Sequence, residues 1–364
     1  MKALVLTGKH EVHLGSFPEP PLAANAVKIA VAYCGLCGTD LHKYEGKSGS
    51  RPLCLPVPLG HEISGVVEAV GEQVKDFRPG DRVTADPNWS CGHCFFCQDG
   101  RSSMCENSRG VVKGMADYIC PPQENVYKLP DGLSLRDAAL TEPLSCCLHG
   151  MDLLDVKLGE TAAIIGMGAI GTIMVQLVKR AGAAEIVVIE TVEEKREKAL
   201  KLGATHFINP RKEDPVAAIA ARGIRNVGKV MECVGLPTTV NTALAVAGKG
   251  ARVVLFGLGD PDQPVLVDTY TAVTKELDIQ TSFLNPYTMT RAIHLLVPST
   301  WARSSARKWV RKSLSGNWQS ERTHGRARSW SNGRIWNEQE SCNEDLKRTQ
   351  EQLRRYDNEG NAPA

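Results

Sequence analysis

The chain has 364 residues, enough for two domains of about 100–200 residues each. Its 42% hydrophobic and 23% charged residues are typical of a globular protein and argue against a disordered one. With 43 Lys and Arg against 41 Asp and Glu, the net charge of +2 predicts neither a nucleic-acid partner nor a basic membrane-surface protein.

Residues 1–149 consist of short β-like segments separated by Gly and Pro, such as Val27–Ala32, Ile63–Val70 and Arg82–Thr84. This punctuation, with little helical periodicity, predicts a compact β-rich domain. The apolar run after Met1 is too short for a signal-peptide core and is predicted to form the first strand. We therefore expect a cytoplasmic protein, in whose reducing surroundings clustered cysteines are metal ligands more often than disulfides.

Four residues in this half form a dispersed candidate metal site: Cys37, His61, Glu62 and Glu142. One thiolate, one imidazole and a carboxylate suit a catalytic zinc site that keeps a position open for water or substrate. Their spacing alone leaves a second interpretation open, in which a core cysteine, a buried histidine and two surface acids carry no metal.

A second cysteine group is compact. Cys91, Cys94, Cys97 and Cys105 have the spacing C-x2-C-x2-C-x7-C. Four thiolates this close on a loop can close a tetrahedral structural zinc site with no position left for substrate. An iron–sulfur cluster is the alternative, but the last spacing differs from the compact bacterial ferredoxin pattern. His93, inside the loop, is interpreted as a loop residue rather than a ligand.

From about residue 160 the pattern alternates between short apolar strands and helical segments. The predicted strands are Ala162–Ile165, Ile186–Ile189, His206–Ile208, Val230–Cys233, Arg252–Phe256 and Ile279–Phe283. Six such strands separated by helices predict an α/β domain with a parallel, doubly wound sheet of the Rossmann type.

A glycine motif, Gly166-Met167-Gly168-Ala169-Ile170-Gly171, follows the first of these strands and opens a helix. In that position G-x-G-x-x-G is the fingerprint of a dinucleotide pyrophosphate site. Glu190 lies 19 residues after Gly171, where an acid can bind the adenine-side ribose and repel a 2′-phosphate. NAD is thus favoured over NADP, while Arg196 keeps NADP as the alternative.

The composition changes abruptly after about residue 297. Residues 301–364 carry 13 basic and 8 acidic side chains and five of the six tryptophans. Only five of these 64 residues are Leu, Ile, Val or Phe, too few to offset the entropy of ordering the segment. The predicted organisation is therefore 1–149, 150–297 and an atypical tail, 298–364.

Taken together, these motifs resemble the zinc-dependent medium-chain alcohol dehydrogenases, and within them the polyol branch of sorbitol, butanediol and threonine dehydrogenases. The resemblance covers about residues 1–296. It rests on the stretch from Cys37 to Asp40, Gly60-His61-Glu62 with Gly65, the four-cysteine loop, Glu142-Pro143-Leu144, the glycine motif and Glu232-Cys233-Val234-Gly235.

The resemblance implies a GroES-like catalytic domain and a Rossmann domain, one catalytic and one structural zinc, and NAD. Cys37 and His61 would bind the catalytic zinc, with the remaining carboxylates from Glu62 and Glu142. Thr39 matches the hydroxyl that removes the substrate proton, and His42 could extend that relay to solvent or be a plain surface residue. Bound zinc would favour the alkoxide of a secondary alcohol or polyol, which gives hydride to the nicotinamide.

Relatives continue past residue 296 with a segment that completes the first domain, and nothing in 298–364 resembles it. We hypothesise a frameshift near codon 297; a genuine basic tail that binds a partner is the alternative. The resemblance further implies a homo-oligomer, dimer or tetramer, with a small-molecule alcohol substrate and no nucleic acid or membrane partner. Two other interpretations stay open: a zinc- and NAD-binding protein with little turnover because the return segment is missing, and a poorly folded product.

Overall fold

The structure, a computed structural model, describes residues 1–47 and 53–297, together with the backbone of 309–312 and 318–321. Most of the predicted tail, 298–364, therefore lies outside the described residues. Among the residues that the structure describes, no helix has both the length and the apolar character needed to cross a bilayer.

The first part of the chain is β-rich, as predicted. Its strands are β1 (Lys2–Gly8), β2 (Glu11–Ser16), β3 (Val27–Gly35), β4 (Val57–Pro58), β5 (Glu62–Val70), β6 (Arg82–Ala85), β7 (Asn88–Trp89), β8 (Arg109–Gly110), β9 (Tyr118–Ile119) and β10 (Val126–Lys128). Its helices are α1 (Gly38–Tyr44), α2 (Phe95–Gln98) and α3 (Leu135–Ala138), with 3-10 turns at Ser102–Met104 and Gln123–Asn125.

Strand β3 is the central strand of this part. Val27, Ile29 and Val31 are buried at every second position, which is the period of a strand with one face toward a core. The neighbouring order is β10-β6-β5-β3, and β9 pairs with β3 on its other edge. All these pairings are antiparallel. Strand β3 ends at Gly35, two residues before Cys37.

The second part is a parallel sheet with helices between its strands. Its strands are β11 (Thr161–Ile165), β12 (Glu185–Ile189), β13 (His206–Ile208), β14 (Lys229–Glu232), β15 (Arg252–Leu255) and β16 (Asp278–Thr281). Its helices are α4 (Thr141–Leu154), α5 (Ala169–Arg180), α6 (Arg196–Leu202), α7 (Pro215–Ala221), α8 (Pro237–Val246), α9 (Thr269–Thr274) and α10 (Met289–Leu296), with a 3-10 turn at Glu193–Lys195.

The strand order β13-β12-β11-β14-β15-β16 is the doubly wound order 3-2-1-4-5-6. The six predicted strands are confirmed; β13 has the predicted bounds, and the bounds of the other five differ by one or two residues. Because helices cover both faces of such a sheet, the central strand β11 is apolar from Ala162 to Ile165, and these residues are all buried. Ligands bind such sheets at the carboxyl ends of β11 and β14, where the strand order reverses.

Helix α4 connects the two parts and runs across the predicted boundary at 149/150. It packs on β5 of the first part and on α5, α10, β14 and β15 of the second. Its buried Leu144, Leu148 and Leu154 belong to one apolar cluster with Ile164, a β11 residue.

The tail contributes two strands, β17 (Trp309–Lys312) and β18 (Trp318–Glu321). Strand β17 pairs antiparallel with β3, with Val310 opposite Cys34, and β18 pairs with β17. No ordered structure is expected here from the sequence, because the tail has few aliphatic residues. These strands instead pair through backbone groups with an existing sheet edge, which needs little apolar surface.

Candidate functional site

Three elements converge on the predicted catalytic metal site. Strand β3 ends at Gly35, Cys37 stands at the N-cap of α1, and β5 begins at Glu62. In the β3–β5 register Gly35 lies opposite Glu62, and a Cβ at Gly35 would be 2.0 Å from Oε2 of that carboxylate. Glycine at this position therefore makes room for the Glu62 side chain.

The structure brings Cys37, His61 and Glu62 together. One ligand atom from each lies within 4.8 Å of the other two, so thiolate, imidazole and carboxylate point to a common centre. Glu142 is buried in the first turn of α4 and lies outside this group of three. Its Oε1 accepts a hydrogen bond from Sγ of Cys146 at 3.5 Å.

Electrostatics show that this centre suits a cation. Burial by itself lowers the pKa of His61. The negative groups around the ring, of which the Cys37 thiolate contributes most, outweigh burial and raise this pKa well above 6.5. Asp40 and Glu142 act in the same direction. A soft thiolate, an imidazole and carboxylates are the ligand types of catalytic zinc, so the residues present fit that ion.

Asp40 is the residue that sequence reasoning missed at this site. It is 1% exposed, and its carboxylate accepts hydrogen bonds from the N–H groups of Cys37 and Gly60, both at 3.0 Å. Its Oδ1 lies 3.8 Å from Nδ1 of His61. Asp40 thus holds the segments that carry Cys37 and His61, as carboxylates bonded to a metal-binding histidine do in metal sites. Its position in the motif from Cys37 to Asp40 was the only feature of the sequence that could have indicated this role.

The two predicted relay residues lie on α1. The hydroxyl oxygen of Thr39 is 3.8 Å from Sγ of Cys37, next to the ligand set. His42 lies one turn further along α1.

The four-cysteine loop forms a second group. Ligand atoms of Cys91, Cys94, Cys97 and Cys105 lie within 4.8 Å of one another, and Sγ of Cys105 is 3.6 Å from Sγ of Cys91. The His93 ring instead bonds to the carbonyl of Cys91 at 2.8 Å, which agrees with its interpretation as a loop residue.

The thiols of this loop differ in acidity. A backbone hydrogen bond from His93, supported by Asn107 and Cys94, lowers the pKa of Cys91 to about 5. Burial and the neighbouring sulfurs raise the pKa of Cys97 to about 12. Four sulfurs in such contact cannot all ionise without a cation between them, so the loop fits a closed structural zinc site.

The glycine motif forms the turn between β11 and α5, and each of its glycines has a separate steric reason. Gly166 has φ +89°, which permits the tight turn after β11. A Cβ at Gly168 would meet no described atom within 4 Å, which leaves open space for a ligand. A Cβ at Gly171 would be 1.9 Å from the carbonyl oxygen of Gly166, so the helix could not begin so close to the turn.

Glu190 lies against the glycine loop. Its carboxylate accepts hydrogen bonds from the N–H groups of Met167 and Val192, at 2.8 and 2.9 Å. Burial raises its pKa, but these bonds and the Lys195 ammonium, 2.8 Å from Oε2, outweigh burial and lower it. Sequence reasoning missed Lys195, because a lysine in a helical segment is usually a solvated surface residue.

Arg196, on which the NADP alternative depends, contacts Glu193 and Phe207. Its guanidinium pairs with Glu193, donates to the carbonyl of Phe207 at 3.2 Å and lies 4.5 Å from the centroid of that ring. Lys195 rather than Arg196 is the base beside Glu190.

A β-rich part with a thiolate–imidazole–carboxylate centre, joined to a dinucleotide-binding sheet, defines a metal-dependent dehydrogenase. Comparison with known proteins agrees. The family model of the alcohol dehydrogenase GroES-like domain matches residues 23–131, and that of zinc-binding dehydrogenases matches 169–297. The chain belongs to the zinc-dependent medium-chain alcohol dehydrogenase family, in its polyol branch. It is an oxidoreductase acting on CH–OH groups.

Individual relatives agree with this assignment. Sorbitol dehydrogenase of Bacillus subtilis is 34% identical over 303 residues, 81% of this chain and 86% of that protein. D-arabitol-phosphate dehydrogenase of Enterococcus avium is 34% identical over 286 residues, 76% and 80% of the two chains. A zinc-binding dehydrogenase of Sinorhizobium meliloti, solved with NADP, is 36% identical with a TM-score of 0.77, covering 82% and 88%.

Proposed function

We propose that this chain oxidises a secondary alcohol or polyol with NAD. The observation that carries the proposal is the convergence of Cys37, His61 and Glu62 on one point next to the Thr39 hydroxyl. Zinc bound there would act as a Lewis acid and lower the pKa of a substrate hydroxyl.

The chain's own residues have separable roles in this proposal. Cys37, His61 and Glu62 hold the metal, and Glu142 supplies a further carboxylate from α4. Asp40 fixes the positions of the two ligand-bearing segments. Thr39 accepts the substrate proton, and His42, three residues later on α1, is the proposed continuation of that path to solvent. The glycine loop and the N-terminus of α5 hold the pyrophosphate.

The preference for NAD is proposed from Glu190. Its lowered pKa keeps it ionised at neutral pH, so a ribose 2′-phosphate would approach a negative group. Lys195 pairs with this carboxylate and compensates part of its charge. The relative solved with NADP shows that the family includes proteins that hold the phosphorylated cofactor.

Glu190→Gln tests this preference. We expect the ratio of kcat/KM for NAD to that for NADP to fall at least about tenfold, or about 1.4 kcal/mol, because the repulsion is removed. Glu194→Gln, the same change at an exposed residue of the following turn, should leave the ratio unchanged. A wild-type protein that prefers NADP would contradict the proposal.

The reaction is tested by zinc content and NADH formation on a panel of polyols and secondary alcohols. Two zinc ions per chain with turnover support the proposal. Two zinc ions and NADH binding without turnover of any alcohol would contradict it. A homo-oligomer in the cytoplasm remains the proposed setting of this activity.

A further inference from the structure

The last residue of β14 is a buried acid that has no role in the site described above. Glu232 is 0% exposed, and β14 is one of the two strands between which the strand order reverses. In the parallel registers Glu232 stands opposite Ile165 on one side and Leu255 on the other. Ile165 is followed directly by Gly166, so the chain after Glu232 leaves the sheet next to the glycine motif. A buried carboxylate is costly unless hydrogen bonds satisfy it, so its partners indicate its role.

The Glu232 carboxylate binds the backbone of the loop that follows it. Its Oε1 accepts hydrogen bonds from the N–H groups of Val234 and Gly235, at 2.8 and 3.0 Å. Its Oε2 lies 3.1 Å from the same Gly235 nitrogen. Bonds to one buried side chain thus fix the path of this loop.

The carbonyl group of Glu232 holds the neighbouring loop. The N–H groups of Phe256 and Gly257 donate to it, at 2.9 and 3.1 Å. The two loops also touch through their backbones, because a Cβ at Gly235 would be 2.5 Å from the carbonyl oxygen of Leu258. Gly235 has φ +84°, so glycine is favoured there for its conformation as well. The loops after β14 and β15 are therefore both bonded to one residue.

Val234 connects this arrangement to the glycine loop. A Cβ at Gly166 would be 2.5 Å from Cγ2 of Val234, so the valine side chain lies directly against the first glycine of the motif. Val234 is nevertheless 40% exposed, which leaves apolar surface that a ligand bound at the glycine loop can cover. Ligands of doubly wound sheets bind in the crevice at this point of the strand order.

We propose that Glu232 is a positioning residue for the dinucleotide, because it holds Val234 against the glycine turn, where the valine side chain contacts the bound cofactor. The inference rests on the proposed dehydrogenase function and deepens its account of the cofactor site. Glutamine at position 232 would keep one oxygen acceptor but bring an amide N–H toward the backbone N–H groups. The loop would then have to shift, and Val234 would shift with it.

Fluorescence titration of the full chain with NADH, without alcohol, measures the effect. We expect Glu232→Gln to raise the Kd for NADH at least about fivefold. Val234→Ala keeps the backbone bonds to Glu232 and removes apolar surface, so it should raise this Kd at least about threefold. Because Glu232 acts through Val234, adding Glu232→Gln to Val234→Ala should raise the Kd at most about twofold further.

Two control variants carry the same substitutions away from the crevice. The Glu160 carboxylate also accepts a backbone N–H, that of Lys157 at 2.7 Å, and lies 3.7 Å from Nζ of Lys229, the first residue of β14. Glu160→Gln should therefore affect only the Tm and leave the Kd for NADH unchanged. Val273→Ala, at an exposed position of α9, should also leave the Kd unchanged.

A merely structural role of Glu232 predicts a lower Tm with an unchanged Kd, and that result would overturn the inference. In the active enzyme the KM for NAD should rise while the KM for the alcohol stays constant. An unchanged Kd in Val234→Ala, which alters an exposed side chain and does not depend on the folding of the buried variant, would also overturn the inference. Full additivity of the two changes would do the same. A wild type that binds NADH but oxidises no alcohol would refute the dehydrogenase function alone, whereas a wild type that binds no NADH would overturn both.

Discussion

Alanine substitutions in the glycine motif should separate cofactor binding from folding. Gly168 has φ −76° and ψ −159°, an extended conformation that alanine adopts, and its added Cβ would meet no described atom within 4 Å. Gly168→Ala should leave the free energy of unfolding within about 1 kcal/mol of the wild type. The methyl group would nevertheless occupy the space through which a pyrophosphate approaches the backbone. We expect the Kd for NADH to rise at least about tenfold, or about 1.4 kcal/mol.

Gly171→Ala should instead lower the stability of the folded protein. Its Cβ would lie 1.9 Å from the carbonyl oxygen of Gly166, so the turn or the start of α5 must shift. Overpacking of this kind costs about 1–3 kcal/mol. Each kcal/mol lowers the Tm by roughly 2–4 °C in a domain of this size. The loss of stability should therefore be measurable without cofactor.

Fluorescence titration with NADH and thermal unfolding of the cofactor-free protein measure the two effects. Gly168→Ala with the NADH affinity of the wild type would refute the reasoning about the open space at Gly168. Gly171→Ala with an unchanged Tm would refute the close contact between the helix start and the turn.

Three further predictions concern the metal site, the α4 contacts and acid stability. Cys37→Ser should abolish turnover and remove one zinc ion per chain, while the zinc of the four-cysteine loop stays bound. Full turnover of a variant that metal analysis shows to lack the zinc at Cys37 would contradict the assignment. Asn285→Ala removes the hydrogen bonds of Asn285 with Asn88 and Ser145, so the free energy of unfolding should fall by about 1–3 kcal/mol; an unchanged denaturant midpoint would argue against these bonds. Hydrogen bonds lower the pKa of Glu193 from 4.5 to about 2, and the bond from Arg196 contributes most. The ionised Glu193 therefore stabilises the folded state above pH 4.5, and this contribution is lost as the pH falls toward 2. The Tm difference between wild type and Glu193→Gln should shrink over that range, and a constant difference would contradict this origin.

The parallel sheet was predictable because its strands are short apolar runs between helices, and burial on both faces leaves that pattern in the sequence. Cys37, His61 and Glu62 were predictable as ligand types, although their convergence depends on the β3–β5 register. That register places Glu62 opposite Gly35, and the spacing of these residues in the sequence does not predict this pairing.

Other features depend on long-range geometry and left little trace in the sequence. The carboxylate of Asp40 acts through backbone N–H groups up to 20 residues away. The segment 284–287 has positive φ at Leu284 and Tyr287, residue types without a preference for that conformation, so its path could not be anticipated. The β17–β3 pairing joins backbone groups, which any sequence supplies.

Helix α4 has a mechanical consequence for the metal site. It has 14 residues and is therefore a rod of roughly 20 Å, with Glu142 in its first turn and its far end packed in the core of the nucleotide-binding sheet. A tilt of the rod by roughly 3° moves its tip by about 1 Å, several times the ±0.2 Å tolerance of a metal–ligand distance. A rotation of the nucleotide-binding part that carried α4 with it would move the Glu142 carboxylate relative to Cys37 and His61. The carboxylate thus lies on a helix whose far end is fixed in the nucleotide-binding sheet.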